Sequence, residues 1–110
     1  MSDGPFVPCP VLQRLYAVEN RRWFGGRLPR AICGWRFTGH YKDGRTTQMR
    51  GDFVISVAPR LWGHANEARM TLLHEMAHVS TWARGGRVHG RAWRLEMRRL
   101  ARVGAMDRWW

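Results

Sequence analysis

The 110-residue sequence predicts a single α+β domain in which helices cover one side of a small three-stranded sheet. A chain of this length cannot bury two independent cores, so residues 1–110 are expected to fold as one unit. Hydrophobic residues make up 45% and charged residues 25%, a globular balance that excludes a disordered chain. The periodic segments run in the order helix, three short strands, two helices, which is typical of the α+β class.

Residues 1–10 are expected to form an extended N-terminal arm, and the first helix is predicted to begin at Pro10. Gly25 and Gly26 end this helix because glycine readily adopts the left-handed conformation found at helix C-termini. Its buried face is predicted from apolar side chains spaced three and four residues apart: Leu12, Leu15, Tyr16 and Trp23.

Three segments in the middle of the chain are predicted to be strands. Residues 31–38 are short and mostly apolar, and residues 53–57 have the clearest strand pattern. Between them, Asp43 and Gly44 form a strong hairpin signal. Residues 46–50 are therefore predicted to return beside residues 31–38.

Two helices are predicted to complete the domain. The second should run from about Asn66, a suitable N-cap residue, to Arg84, before Gly85 and Gly86. The third is predicted over residues 91–103. One flank of the second helix is expected to pack on the sheet, and it carries Leu72, Met76, Val79 and Ala83.

The second helix contains the pattern HExxH, formed by His74, Glu75 and His78. Two histidines four residues apart on a helix point to the same side, where both imidazoles can hold one zinc ion. Glu75 lies about 100° around the helix from His74, so its carboxylate can reach a water on the metal without replacing it. Zinc acidifies such a water, and a carboxylate beside it serves as general base in attack on a carbonyl. The motif therefore predicts zinc-dependent peptide hydrolysis with Glu75 as the base.

A catalytic zinc site needs a third protein ligand. The candidates are the remaining histidines and one glutamate: His89, Glu96, His64 and His40. His89 is favoured because Gly85 and Gly86 let the chain turn back and return an imidazole to the metal. Glu96, on the third helix, is the rival, although its carboxylate could instead support a ligand histidine or form a surface salt bridge. The other two histidines are interpreted as polar loop residues.

The chain is strongly basic, since 19 Lys and Arg against 8 Asp and Glu give a formal net charge of +11. Lys42 is the only lysine, so nearly all of this charge is guanidinium, which can bind phosphate through two parallel hydrogen bonds. This composition indicates a polyanionic partner, with biased codon usage as the alternative explanation.

The third helix concentrates part of this charge. One of its faces is expected to pack through Trp93, Met97 and Leu100. The other face carries four arginines: Arg91, Arg94, Arg98 and Arg102. They could follow a phosphate backbone while Trp109 or Trp110 stacks on unpaired bases, which favours single-stranded DNA. A solvated helix face is the alternative reading of the same pattern.

Residues 1–10 lack the charged and apolar blocks of a signal peptide, and no apolar run reaches membrane-spanning length. A cytoplasmic monomer is therefore expected. Cys9 and Cys33 have no metal-binding spacing and are interpreted as free thiols.

Over most of its length, roughly Leu15 to Leu100, the sequence resembles the SprT-like zinc metallopeptidase family, which includes Spartan-type DNA-dependent proteases. The resemblance rests on residues 20–29 (NRRWFGGRLP), Gly51, residues 53–56 (FVIS), residues 72–78 (LLHEMAH), His89, Gly90 and Trp93.

This resemblance implies that His74, His78 and His89 bind one zinc ion and that Glu75 is catalytic. It also implies a minimal zincin-like fold in which residues 53–57 flank the substrate groove and offer their strand edge to an extended peptide. Many members carry a four-cysteine zinc ribbon after the protease core, which this chain cannot form with its two cysteines.

Two functions are thus predicted. The first is a zinc-dependent metallopeptidase acting on protein or peptide substrates, including DNA-associated proteins. The alternative is a noncatalytic, basic nucleic-acid-binding protein in which zinc only stabilises the fold. An open fourth coordination position would favour the enzyme, whereas a fourth protein ligand would favour the structural site. Candidates for stabilising the oxyanion are Tyr41, His64 and Arg87.

Overall fold

The computed structural model describes residues 4–85 and 88–107, which form three α-helices and a four-stranded mixed sheet. The helices are α1 (Pro10–Phe24), α2 (Ala65–Thr81) and α3 (Arg91–Arg102). The strands are β1 (Val7–Pro8), β2 (Ala31–Trp35), β3 (Gly44–Met49) and β4 (Asp52–Val57). The α+β class and the order of the predicted elements are confirmed, but the prediction of three strands is wrong.

The fourth strand comes from the N-terminal arm. The strand order is β1-β2-β4-β3, and β1 pairs antiparallel with β2, with Val7 opposite Trp35. Such a two-residue strand has no periodicity of its own, and it forms because β2 presents a free edge to the passing arm.

The predicted pairing of residues 46–50 with residues 31–38 is wrong. β3 instead pairs antiparallel with β4, which in turn runs parallel to β2. The hairpin turn lies at Arg50 and Gly51, whose φ values of 51° and 88° suit a two-residue turn between antiparallel strands. Gly44, expected in the turn, instead begins β3 opposite Val57.

Burial explains why β4 separates β2 from β3. Phe53, Ile55 and Val57 are at most 5% exposed, so β4 gains most by lying inside the sheet. The side chains of β3 are mainly polar and half-buried or exposed, and they are accommodated at an edge.

α1 and α2 pack against the sheet, and α3 packs on α2. Leu72 and Met76 on α2 are fully buried and Val79 is 5% exposed, as expected, but Ala83 is exposed. Ala83 leaves the predicted flank because α2 ends at Thr81 and continues only as a 3₁₀ turn, Trp82–Arg84.

Polar contacts at two places fix the helices further. The Sγ atom of Cys9 caps α1 by accepting a hydrogen bond from the Leu12 N–H at 3.5 Å, and Gly25 ends α1 with a φ of 63°. The Arg69 guanidinium on α2 forms a buried ion pair with Glu19 on α1, at 2.6 Å between Nε and Oε1. Within the described ranges, no helix has both the length and the apolar character needed to cross a membrane.

Candidate active site

Three imidazoles converge at one end of α2. His74 and His78 are one helical turn apart and face the same cleft, and His89 reaches them from the segment that leads into α3. One ring nitrogen from each histidine lies within 4.8 Å of the others, and the Nε2 atoms of His74 and His89 are 3.0 Å apart.

The separation between the ring nitrogens of His74 and His89 fits a tetrahedral zinc site. Ligand nitrogens about 2.0 to 2.1 Å from a tetrahedral zinc lie about 3.3 Å from one another, close to the observed separation of His74 and His89. Among residues 4–85 and 88–107, no other cysteine, histidine or carboxylate belongs to this group of mutually close ligand atoms. The described residues therefore offer three mutually close nitrogen atoms that could hold a metal ion.

The backbone at His89 adopts a conformation that non-glycine residues rarely use. Its φ is 59°, in the left-handed region, where strain persists only if the surrounding structure supports it. Here the left-handed turn directs the imidazole back toward α2, which brings the third candidate ligand to the other two.

Trp93 on α3 packs against all three imidazoles. Its ring centroid lies 4.5 Å from that of His89, 4.7 Å from His74 and 5.3 Å from His78, and it stacks on His78 at an interplanar angle of 20°. Its indole N–H also donates a hydrogen bond to the backbone oxygen of His74 at 3.3 Å. One side chain thus contacts all three histidines.

Burial keeps the α2 imidazoles neutral. It lowers the pKa of His78 to about 4, with His74 and His89 as further causes. It also lowers the pKa of His74, and the neighbouring His89 adds to this effect. Neutral imidazoles retain the nitrogen lone pair that a metal needs, so both side chains can act as ligands near neutral pH.

Glu75 is buried beside this cluster. Its Oε2 atom lies 4.0 Å from Nε2 of His74, and its Oε1 atom accepts a hydrogen bond of 2.7 Å from the Thr46 hydroxyl on β3. Burial raises the pKa of Glu75 to about 7, an effect that the Thr46 hydrogen bond partly offsets. A carboxyl group with such a pKa can both accept and return a proton near neutral pH.

The imidazoles and Glu75 line a cleft of about 660 Å³. On one side it is bounded by β3 and the loop before it, including the almost fully exposed Tyr41. His64 immediately precedes α2, about 15 Å along the helix axis from His74, which places it far from the cluster. Of the three oxyanion candidates, only Tyr41 is placed at the cleft, since Arg87 lies outside the described residues.

One comparison with known proteins identifies the family of this chain. A family model described as the SprT-like family matches residues 12–107. The chain belongs to the SprT-like family. No curated protein and no solved structure gives a significant match.

In this SprT-like chain, Glu96 is engaged away from the imidazoles. It accepts hydrogen bonds from the Ser80 hydroxyl on α2 and, at 2.6 Å, from Nε of Arg99. Arg99 also donates to the backbone oxygen of Trp23 at 2.8 Å. Glu96 therefore connects α3 to α2 directly and to α1 through Arg99. Its carboxylate oxygens do not belong to the group of clustered ligand atoms. His40 packs edge-on against Phe37, also apart from the cluster.

In this SprT-like chain, the prediction that residues 53–57 offer a free strand edge is wrong. Residues 53–57 belong to β4, which is paired on both sides and offers no edge. The edge strand beside the cleft is β3, and three of its residues line the cleft: Gly44, Arg45 and Thr46.

The four arginines predicted on the charged face of α3 form a basic stripe, and all four are exposed, as a solvent-facing helix side requires: Arg91, Arg94, Arg98 and Arg102. The tryptophans suggested to stack on bases, Trp109 and Trp110, lie outside the described residues.

Two contacts of the site were not predicted from the sequence. Trp93 was predicted only to pack in the core. Its position four residues after His89 was the signal that could have placed it beside the histidines. The contact between Thr46 and Glu75 joins residues 29 positions apart and depends on the β3 register, so no local pattern could have revealed it.

Proposed function

We propose that this SprT-like chain is a zinc-dependent metallopeptidase with a zincin-like site. The observation that carries the proposal is the convergence of three imidazole nitrogens within 4.8 Å, beside the buried carboxyl group of Glu75, in an open cleft. His74, His78 and His89 would hold the ion. Zinc bound there would supply a water of lowered pKa and a Lewis acid for the substrate carbonyl.

Glu75 supplies the proton chemistry. Its Oε1 atom is held by Thr46, which leaves Oε2, the atom nearer His74, to accept a proton during attack on the peptide carbonyl. The same oxygen then returns the proton to the leaving amine, which must be protonated before it departs. In the metal-free protein, burial raises the pKa of Glu75 to about 7, so this carboxyl group is able to take up and release a proton near neutral pH.

The substrate binds along β3 in this proposal. An extended peptide can pair with the free edge of a sheet through backbone hydrogen bonds, and β3 is such an edge beside the cleft. This pairing would lay the scissile bond across the imidazole cluster. A set of three histidines with a carboxyl group beside it is typical of catalytic zinc sites, which favours the enzyme over a purely structural zinc.

The experiment that tests the enzyme proposal is the Glu75→Gln substitution. We expect casein cleavage to be lost while one zinc per chain is retained, since the three imidazoles are unchanged. Glu67→Gln is the matched control, because Glu67 is an exposed glutamate in the first turn of the same helix. Retained cleavage in Glu75→Gln, or a wild-type protein that binds zinc but cleaves nothing, would contradict the proposal.

We further propose that the enzyme associates with nucleic acid, single-stranded DNA in particular, and acts as a monomer on proteins bound there. The supporting observation is the exposure of all four arginines of the α3 stripe: Arg91, Arg94, Arg98 and Arg102. Affinity for a fluorescent oligonucleotide should fall steeply with salt, and replacing all four by glutamine should flatten that dependence. Binding that is unchanged between low and high salt would refute this part.

A further inference from the structure

Thr46 makes the main polar contact to the Glu75 side chain within the described part of the chain. Its Oγ1 atom lies 2.7 Å from Oε1 of Glu75 and 3.3 Å from the Glu75 backbone oxygen. The hydroxyl has one proton, and the shorter distance assigns it to the carboxyl group. Glu75 is thereby attached to the edge strand as well as to its own helix.

The β3 register places Thr46 on the side of the strand that faces α2. Thr46 lies opposite the fully buried Ile55, and side chains two residues apart share a face. Gly44 is the preceding residue on that face, where a Cβ atom would lie 3.1 Å from Oε2 of Glu75, 2.9 Å from the Thr71 side chain and 2.9 Å from a backbone oxygen. The strand can approach Glu75 this closely because position 44 has no side chain.

We propose that Thr46 is a positioning residue for the general base: it holds one oxygen of Glu75 so that the other faces the imidazole cluster. This inference rests on the proposed function. The last torsion of a glutamate side chain has a broad minimum, so a carboxylate without a partner can present either oxygen in many orientations. A hydrogen bond to Oε1 restricts that rotation before substrate arrives, and Oε2 is left directed at the cleft.

The arrangement also links the base to the substrate. Thr46 contributes its side chain to Glu75 and its backbone to β3, the edge on which we place the peptide. Binding of a peptide and orientation of the base therefore depend on the same residue of the strand.

The test compares Thr46→Val with Thr46→Ser. Valine keeps the β-branched shape but lacks the donor, so kcat should fall about 10- to 100-fold, as expected for the loss of a hydrogen bond to a charged group. KM and zinc affinity should be nearly unchanged. Serine restores the hydroxyl and should recover most of kcat. Thr46→Ser is thus the matched control, because it changes the side chain at the same position and keeps the donor. A kcat in Thr46→Val equal to that of wild type would overturn the proposal.

A second measurement does not depend on activity. The chain has four glutamates, so carboxyl ¹³C NMR signals of labelled protein can be assigned with Glu75→Gln. At fixed pH, Thr46→Val should shift the Glu75 signal and leave the other three in place, and Thr46→Ser should return it toward the wild-type position. An unshifted Glu75 signal overturns the Thr46 proposal alone, whereas an inactive wild-type protein overturns the proposed peptidase function.

Discussion

Replacing Trp93 by alanine should weaken zinc binding by about 30-fold. The indole contacts all three imidazoles, stacks on His78 and donates a hydrogen bond to the backbone oxygen of His74. An aromatic stack contributes about 1 kcal/mol and such a hydrogen bond about 1 kcal/mol, so about 2 kcal/mol of preorganisation would be lost. At about 1.4 kcal/mol per tenfold change, this corresponds to the expected rise in Kd.

The assay is competition for zinc against a chromogenic chelator, with thermal unfolding of the metal-free proteins measured alongside. Trp93→Phe keeps a ring but loses the hydrogen bond, so its Kd should rise only about 5-fold. Trp62→Ala is the control, since Trp62 is 70% exposed and packs on Trp35 away from the imidazoles. If Trp93→Ala bound zinc within about 2-fold of wild type, the preorganisation argument would be refuted.

Three further predictions concern stability and ligand identity. Arg69→Ala should lower the free energy of unfolding by about 3 to 5 kcal/mol, because the buried carboxyl group of Glu19 would lose its ion-pair partner and keep only the Trp23 indole as a donor. A loss below about 1 kcal/mol in urea unfolding would contradict this. The raised pKa of Glu75 means that the folded protein keeps a proton which the unfolded chain releases, so stability is lost as pH rises from about 4.5 through about 7. In the metal-free protein, Glu75→Gln should therefore raise the free energy of unfolding more at pH 8 than at pH 5, by at most about 3 kcal/mol. An equal rise at both pH values would contradict the direction of this pH dependence. Glu96→Gln should keep one zinc per chain yet lose about 1.5 to 3 kcal/mol of stability, because its carboxylate accepts from Ser80 and Arg99; loss of zinc would make Glu96 a ligand.

Local signals in the sequence were sufficient for the elements but not for their pairing. The glycine that ends α1 and the strand pattern around Phe53 act over a few residues, and both were predicted correctly. The position of β4 between β2 and β3 was missed, because it depends on which strand loses most exposed apolar surface when all strands assemble. The same error misplaced the free edge beside the cleft.

For the three clustered histidines too, part of the arrangement could be predicted from local signals and part could not. The spacing of His74 and His78 fixes their common direction through helix geometry alone, and the glycine after the helix favoured His89 as the third partner. That His89 arrives within ligand distance depends on a left-handed backbone and on the indole of Trp93, and neither is encoded in a short pattern.

The sequence by itself determined the α+β class, the HExxH helix and the excess of positive charge, because periodicity, motif spacing and composition act along the chain. Only the tertiary structure decided the strand order, the partner of Glu75 and the attachment of Glu96 to Ser80 and Arg99. These contacts join residues distant in sequence, and they form only when burial of the apolar faces brings the separate elements together.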